Sequence, residues 1–309
     1  MIKRVLLLLI FPFALQASHI IGGNFDIVQT GPNQFDITLV VFRDCGSPGS
    51  NPVQLQKSIN VGIFDPITNV KLDSIWLFKS DSLYVTLGDS CYKPTGLCVQ
   101  EIRMTKTMTL ASNMNGYTFA AQICCRNYAI DNLVLPGNTG ITWTIDIPDA
   151  QITFGNSSPD MGAYPALGYL CLNNFKTLDL SASDADGDSL VYQLAPPLNN
   201  KSLPDDPPLS PPYPEVNWRT GYSYLNPING NPSLAINSRT GLLTCAADEL
   251  GVFVFAYDVI EYRNGVQIGS VRRDLQIQVL PCIVDQPPIF LSPEDSVYTF
   301  EGGVDKCIP

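Results

Sequence analysis

The sequence predicts an all-β chain on three observations. Apolar residues recur at every second position in run after run, clusters of Gly, Pro, Asn and Asp separate the runs, and no long segment carries the helical period. Phe35, Ile37, Leu39 and Val41 alternate with Asp36, Thr38, Val40 and Phe42. Gly31-Pro32-Asn33, just before this run, is turn chemistry suited to a hairpin. Ile102, Met104, Met108 and Leu110 share one face, with Glu101, Arg103, Thr105, Thr107 and Thr109 on the other. Asn113-Met114-Asn115-Gly116 then reverses the chain into a strand over 117–125, and Ile141, Trp143, Ile145 and Ile147 alternate up to Pro148. Further strands fall near 175–181, 189–195, 233–237, 242–245, 251–262 and 266–280.

A chain of 309 residues exceeds one ordinary domain, so we read two consecutive antiparallel β-sandwich domains. The first covers 18–148 and the second 170–282, joined by a connector at 149–169 that holds Asn156, Ser157, Ser158, Pro159, Gly162 and Pro165. Residues 283–309 read as a linker or the start of a truncated further segment. Residues 196–214 carry eight prolines in nineteen positions. Proline lacks the N–H that a ladder requires, so this stretch is expected to be an extended loop lying over the surface.

Residues 1–17 have the form of a signal peptide. Lys3 and Arg4 precede an apolar run from Val5 to Leu15, and small residues at Ala14 and Ala17 allow cleavage before Ser18. The run is too short to span a bilayer, and no other stretch is a transmembrane segment. The expected location is therefore secreted, extracellular or at the cell surface. Cleavage leaves 16 basic against 29 acidic residues, a net charge of −13. Such a chain repels nucleic acid and anionic membrane surfaces and is compatible with divalent cations.

Nine cysteines in an exported chain point to disulfides. Cys91 and Cys98 enclose a short loop that a bridge can close. One bridge between Cys45 and the Cys124-Cys125 pair would staple the first domain, whereas a bond within that pair is rare and strained. Cys171 and Cys282 stand at the two ends of the second domain, where a bridge between them and links across the domains are both open. The odd count leaves one cysteine over, for which Cys307 is the candidate. His19 is the one histidine, which removes multi-histidine zinc sites and most histidine-based triads.

The stretch Asp184-Ala185-Asp186-Gly187-Asp188 carries the most chemistry. Three carboxylates alternate on a glycine turn immediately before a strand, a clustering of hard oxygen ligands that suits Ca²⁺. It is not an EF-hand, because Ser189 stands where the sixth position needs glycine and Ala195 where the twelfth needs glutamate. Calcium at Asp184, Asp186 and Asp188 would need further ligands, for which Asp160, Asp248, Asp258 and Glu261 are the acids to examine. The alternative is a solvated acidic turn. Glu101, Glu215, Glu249 and Glu261 are the carboxylates that a glycosidase could use, although their spacing singles out no pair. Trp76, Trp143 and Trp218 would favour a glycan platform if clustered on the surface, but Trp143 sits on an alternating apolar face and reads as core.

Several segments together resemble a known group of proteins. They are Ser18-His19-Ile20-Ile21-Gly22-Gly23, Phe42-Arg43-Asp44-Cys45, Cys124-Cys125-Arg126-Asn127, Asp184 to Tyr192, Gly221-Tyr222-Ser223, Thr240-Gly241-Leu242-Leu243-Thr244 and Glu261-Tyr262-Arg263. In this order they are similar to the amino-terminal region of large Bacteroidetes surface proteins that end in gliding-motility-associated, type IX secretion sorting domains. The resemblance implies display at the cell surface and an adhesin-like or structural role. It also implies a cadherin-like or immunoglobulin-like second domain in which the acidic turn binds calcium. The implied partners are an extracellular glycan or protein ligand, or neighbouring domains of a longer surface protein. Asp73-Ser74-Ile75, Asp81-Ser82-Leu83, Asp188-Ser189-Leu190 and Asp295-Ser296-Val297 look like the Bacteroidetes O-glycosylation motif, which makes Ser74, Ser82 and Ser296 candidate acceptors. The leading expectation is a non-enzymatic, adhesin-like protein stiffened by calcium. The competing one is a secreted carbohydrate-active enzyme or its accessory glycan-binding module.

Overall fold

The computed structural model describes residues 20–46, 57–88, 92–151, 153, 155–201 and 207–282. Residues 1–17, expected to be a signal peptide, as well as His19, Cys91, Ser296, Cys307 and the segment 283–309 lie outside these residues. Fourteen strands make up the described fold: β1 (Ile20–Gly31), β2 (Gln34–Asp44), β3 (Ser58–Phe64), β4 (Lys71–Val85), β5 (Val99–Thr109), β6 (Tyr117–Ile123), β7 (Ile141–Ile147), β8 (Tyr169–Cys171), β9 (Lys176–Asp179), β10 (Ser189–Ala195), β11 (Ala235–Ile236), β12 (Leu242–Cys245), β13 (Gly251–Arg263) and β14 (Val266–Leu280). A single 3-10 turn at Pro136–Asn138 accompanies them. Among the described residues, no helix is long and apolar enough to cross a membrane.

Period-two alternation makes the first seven strands. β1 and β2 form the expected hairpin, in which Asn33 takes the left-handed conformation that a tight turn needs (φ 57°). The strands then run in the order β1-β2-β5-β4-β3-β6-β7, all antiparallel. Both ends of this run settle on β14: β7 pairs Asp146 with Ser270, and β1 pairs Gly23 with Asp274. The seven strands therefore curl into a wall closed by an eighth. Their inward positions, among them Phe25, Ile37, Leu39, Val61, Phe119 and Trp143, are buried together in one core. Glycine at position 23 allows the closure, because a Cβ there would stand 2.5 Å from the Val40 carbonyl oxygen and 2.9 Å from Trp143 Nε1.

β13 and β14 are joined by Asn264-Gly265, whose positive φ values of 53° and 77° suit a hairpin turn that follows the strand twist. β10 extends the sheet beyond β13, and a three-stranded sheet β11-β12-β9 lies apart from it. Leu178, Leu180 and Leu243 of the small sheet and its surroundings share the core with Phe253, Phe255, Tyr257 and Val259 of β13. One edge of β14 belongs to β13; the other serves β7, β1 and finally β8, which runs parallel to residues 278–280. Where the sequence suggested two consecutive sandwiches, hydrogen bonding passes continuously from one half into the other through β14.

The connector packs rather than spans. Ser158 exchanges hydrogen bonds with Ile27 on β1, and the buried Arg273 guanidinium donates to the carbonyls of Met161, Gly162 and Ala163. Pieces of the proline-rich stretch fold back on each other, with Asn199 N–H bonded to the Pro214 carbonyl and Val216 N–H to that of Pro197. Buried charges secure this arrangement. Arg126 and Asp274 form a two-pronged ion pair at 2.9 and 2.6 Å with both side chains almost fully enclosed, and Arg126 also bonds the carbonyls of Gly140 and Leu198. Arg272 holds Asp258 in the same two-pronged way.

Three disulfides lie among the described residues, and two of their pairings correct the sequence reading. Cys45 is bonded to Cys98, not to the Cys124-Cys125 pair, and Cys98 is thereby not joined to Cys91. The ladder decides this. β2 and β5 are neighbours in register to Asp44↔Val99, so Cys45 and Cys98 face each other one step beyond, whereas three strands separate β2 from β6. Cys124 and Cys125 are bonded to each other at the end of β6. Cys171–Cys282 follows from the parallel β8–β14 pairing, which ends at Cys171↔Leu280. Among the described residues the unpaired cysteine is Cys245, a buried thiol whose pKa burial pushes up to about 11.

Two stability predictions follow from this packing. Asp274→Ala leaves Arg126 buried without its counter-charge and should lower stability by about 3–5 kcal/mol in urea unfolding. Adding Arg126→Met should restore part of that loss, and a fully additive loss would contradict the pairing. Opening Cys171–Cys282 with paired serine substitutions should cost about 2–4 kcal/mol in the same assay.

Candidate metal centre

The acidic turn is shaped by its own first residue. Asp184 Oδ1 accepts the backbone N–H groups of Asp186 and Asp188 at 3.0 and 2.8 Å, and Gly187 supplies the left-handed step (φ 82°). β10 starts directly afterwards and pairs Ser189 with Tyr262, which sets the turn beside the end of β13. There Glu261 occupies the same alternating face as Phe253, Phe255, Tyr257 and Val259. A carboxylate thus stands where the strand pattern places a core residue, and it is 0% exposed. Gly269 lies opposite it in the β13–β14 ladder, and a Cβ there would come within 2.6 Å of Glu261 Oε2.

A ring of polar contacts encloses these acids. Arg263 donates through Nε and Nη2 to the two oxygens of Asp188 at 2.7 and 2.6 Å, and its Nη2 also reaches Asn156 Oδ1 at 2.8 Å. Asn156, from the connector, donates in turn to Glu261 Oε1 at 3.1 Å. Two oxygens stay unanswered: Asp184 Oδ2 and Glu261 Oε2 are buried and have no hydrogen-bond partner. One carboxylate oxygen each from Asp184, Asp188 and Glu261 lies within 4.8 Å of the others. Burial foremost, then the Asp184 and Asp188 charges, push the Glu261 pKa up to about 8 against the opposing pull of Asn156 and Arg263.

Of the sequence-predicted triad, the structure brings Asp184 and Asp188 together with Glu261 and sets Asp186 apart from them. Asp186 turns outward, and its Oδ2 accepts the Ser157 N–H at 2.6 Å. Alternate spacing in a turn does not keep three side chains on one side, because the turn itself rotates them. Of the other acids considered, Asp258 is held by Arg272, Asp160 pairs through its backbone with Ser183, and Asp248 lies in the loop before β13. Asn156 and Arg263 were not foreseen as site residues. Their signal was the conjunction of Glu261 with Arg263 at a strand end, an acid on a core face beside a cation.

The remaining sequence candidates fall elsewhere. Glu101 is buried beside Arg103, whereas Glu215 and Glu249 are exposed. Trp143 is core, Trp218 is partly buried against Ile130 and Val254, and Trp76 faces outward on β4. Ser74 and Ser82 are both half-buried on β4, and each donates its backbone N–H to the preceding aspartate. Neither the scan of protein-family models nor the search of curated proteins found a match to this chain.

The donor set is all oxygen and carries three acids against one arginine, an excess of two negative charges if all are ionised. Oxygens bound to one Ca²⁺ at about 2.3–2.6 Å stand at most about 5 Å apart, which these do. Without a cation, the raised Glu261 pKa has a sign that can be tested. From about pH 4.5 to 8 the folded protein holds a proton that the unfolded chain has released, so stability falls as pH rises through this window. In EDTA, the wild-type Tm should drop from pH 5 to pH 8 more steeply than that of Glu261→Gln. Parallel profiles would contradict the burial argument.

Proposed function

We propose that this chain is an exported, surface-associated β-protein with an adhesin-like or structural role, and that a divalent cation fastens its acidic turn to the main sheet. The observation that carries this reading is the pair of buried, unpartnered oxygens on Asp184 and Glu261. Leaving such a group unsatisfied costs about 1–3 kcal/mol, and more when it is charged. A cation answers both oxygens and the excess negative charge together. Calcium fits the oxygen-only set, whereas zinc favours histidine and cysteine and magnesium dehydrates reluctantly.

Export is supported by the signal-peptide pattern and by the disulfides, which persist in oxidising compartments. The resemblance to amino-terminal regions of type IX-secreted Bacteroidetes surface proteins supports display at the cell surface. The cation's role in this reading is mechanical. Asp184 and Asp188 lead into β10 and Glu261 lies near the end of β13, so one ion would join two segments that are distant in sequence, while Asn156 ties the connector to Glu261 by a hydrogen bond. The chain is thus read as a stiff binding or structural module, with no catalytic residue assigned.

Thermal unfolding with titrated calcium provides the test. At a free concentration 100 times Kd, one ion should stabilise the protein by about 2.7 kcal/mol. Asp184→Asn, Glu261→Gln and Gly269→Ala should each abolish or strongly reduce that shift, whereas Asp186→Asn should leave most of it. An unchanged Tm in calcium and in EDTA, or dependence on Asp186 but not Glu261, would overturn the reading.

A further inference from the structure

β4 presents an unusual outer face. Ile75 and Leu77 point into the core, while Trp76 and Phe78 between and beyond them are 41% and 57% exposed. Two positions along a strand set these rings about 7 Å apart on one side of the sheet. Polar groups surround them. Asn60 of β3 pairs directly with Trp76, but it is only 9% exposed and its Oδ1 is buried, out of reach of a surface ligand. Thr105 of β5 pairs with Phe78, and Thr38 of β2 pairs with Thr105. Thr107, one outward step along β5, bonds Asp36 at 2.5 Å, which occupies that carboxylate internally.

An exposed indole and phenyl ring flanked by threonine hydroxyls suit a ligand with two kinds of surface. Such a ligand has a flat apolar C–H face to lie on the rings and hydroxyls at its rim to meet the threonines. Sugar rings have that construction. The strong negative charge of the chain selects against anionic partners, and the row contributes no cationic cluster for sulfate, uronate or phosphate. We propose that the outer face of β4 binds a neutral polysaccharide, with Trp76 and Phe78 as stacking platform and Thr105 and Thr38 as polar contacts. The inference deepens, and rests on, the reading of this chain as an extracellular binding protein, and it identifies the ligand class. The metal centre does not enter it, since its residues lie in the turn before β10, on β13 and in the connector.

The test is affinity electrophoresis of the whole exported chain in gels containing laminarin, xylan, dextran or soluble starch, with alginate as the anionic comparison. Tryptophan fluorescence in solution provides a second readout, since Trp76 is the most exposed of the three indoles. At least one neutral polysaccharide should retard the protein. Trp76→Ala should weaken that binding at least tenfold and Phe78→Ala about fivefold in variants whose circular dichroism shows the native fold, while Trp76→Phe should retain most of it. Retardation by none of the four, retardation by alginate alone, or binding unaffected by Trp76→Ala would overturn the proposal. Each measurement is run in calcium and in EDTA. A calcium-dependent Tm without polysaccharide binding would sink the platform alone, and the reverse result would sink the metal centre alone.

Discussion

A charge taken out of water must be answered by another charge or by a full set of hydrogen bonds, and this constraint organises the centre of the molecule. β14 carries Arg272, Arg273 and Asp274 in succession through the most enclosed part of the fold. Each is answered from a different direction: Arg272 by Asp258 of the neighbouring strand, Arg273 by three connector carbonyls, and Asp274 by Arg126 from the far side of the closed wall. These contacts join the connector and the Cys124-Cys125-Arg126 loop to one strand. They explain why hydrogen bonding is continuous across the chain's two halves. Ion pairs of this kind add little net stability compared with a hydrophobic replacement, but they allow few alternative arrangements.

The same rule gives the metal centre its meaning. Glu261 lies one strand over, equally enclosed, and its partners fall short of its needs. Asn156 satisfies one oxygen, and Arg263 is committed to Asp188. Other buried charged groups also keep an unpartnered atom, Glu101 Oε2 and Arg273 Nε among them, but the unanswered oxygens of Glu261 and Asp184 belong to carboxylates that meet in one cluster. The proposed cation completes the pattern. Gly269 belongs to the same design, since a larger residue would occupy the space of the Glu261 carboxylate.

Much of the architecture was legible in the sequence because period-two alternation and turn residues act locally. The strands expected near 189–195, 242–245 and 266–280 coincide with β10, β12 and β14, and the Gly31-Pro32-Asn33 hairpin is present. What required the structure was long-range order. No local pattern announces that β14 will receive both β1 and β7, or that β5 will insert beside β2 and so bring Cys98 to Cys45. The candidate metal centre was half legible. Asp184 and Asp188 are recognisable by composition, but the outward rotation of Asp186 depends on turn geometry. Glu261 was one of four acids worth examining, and only the β10–β13 register selects it. The charged run Arg272-Arg273-Asp274 within an apolar strand was a readable sign of buried pairing.

The central claim is that a calcium ion sits between the acidic turn and the end of β13. Its most direct test is a crystal structure of the protein grown in calcium chloride, with anomalous scattering used to locate the ion. The account predicts one site with oxygens of Asp184, Asp188 and Glu261 at about 2.3–2.6 Å and Asp186 bonded to the Ser157 N–H instead. An ion held by Asp184, Asp186 and Asp188 with Glu261 apart from it, or no ion beside Glu261, would contradict the account.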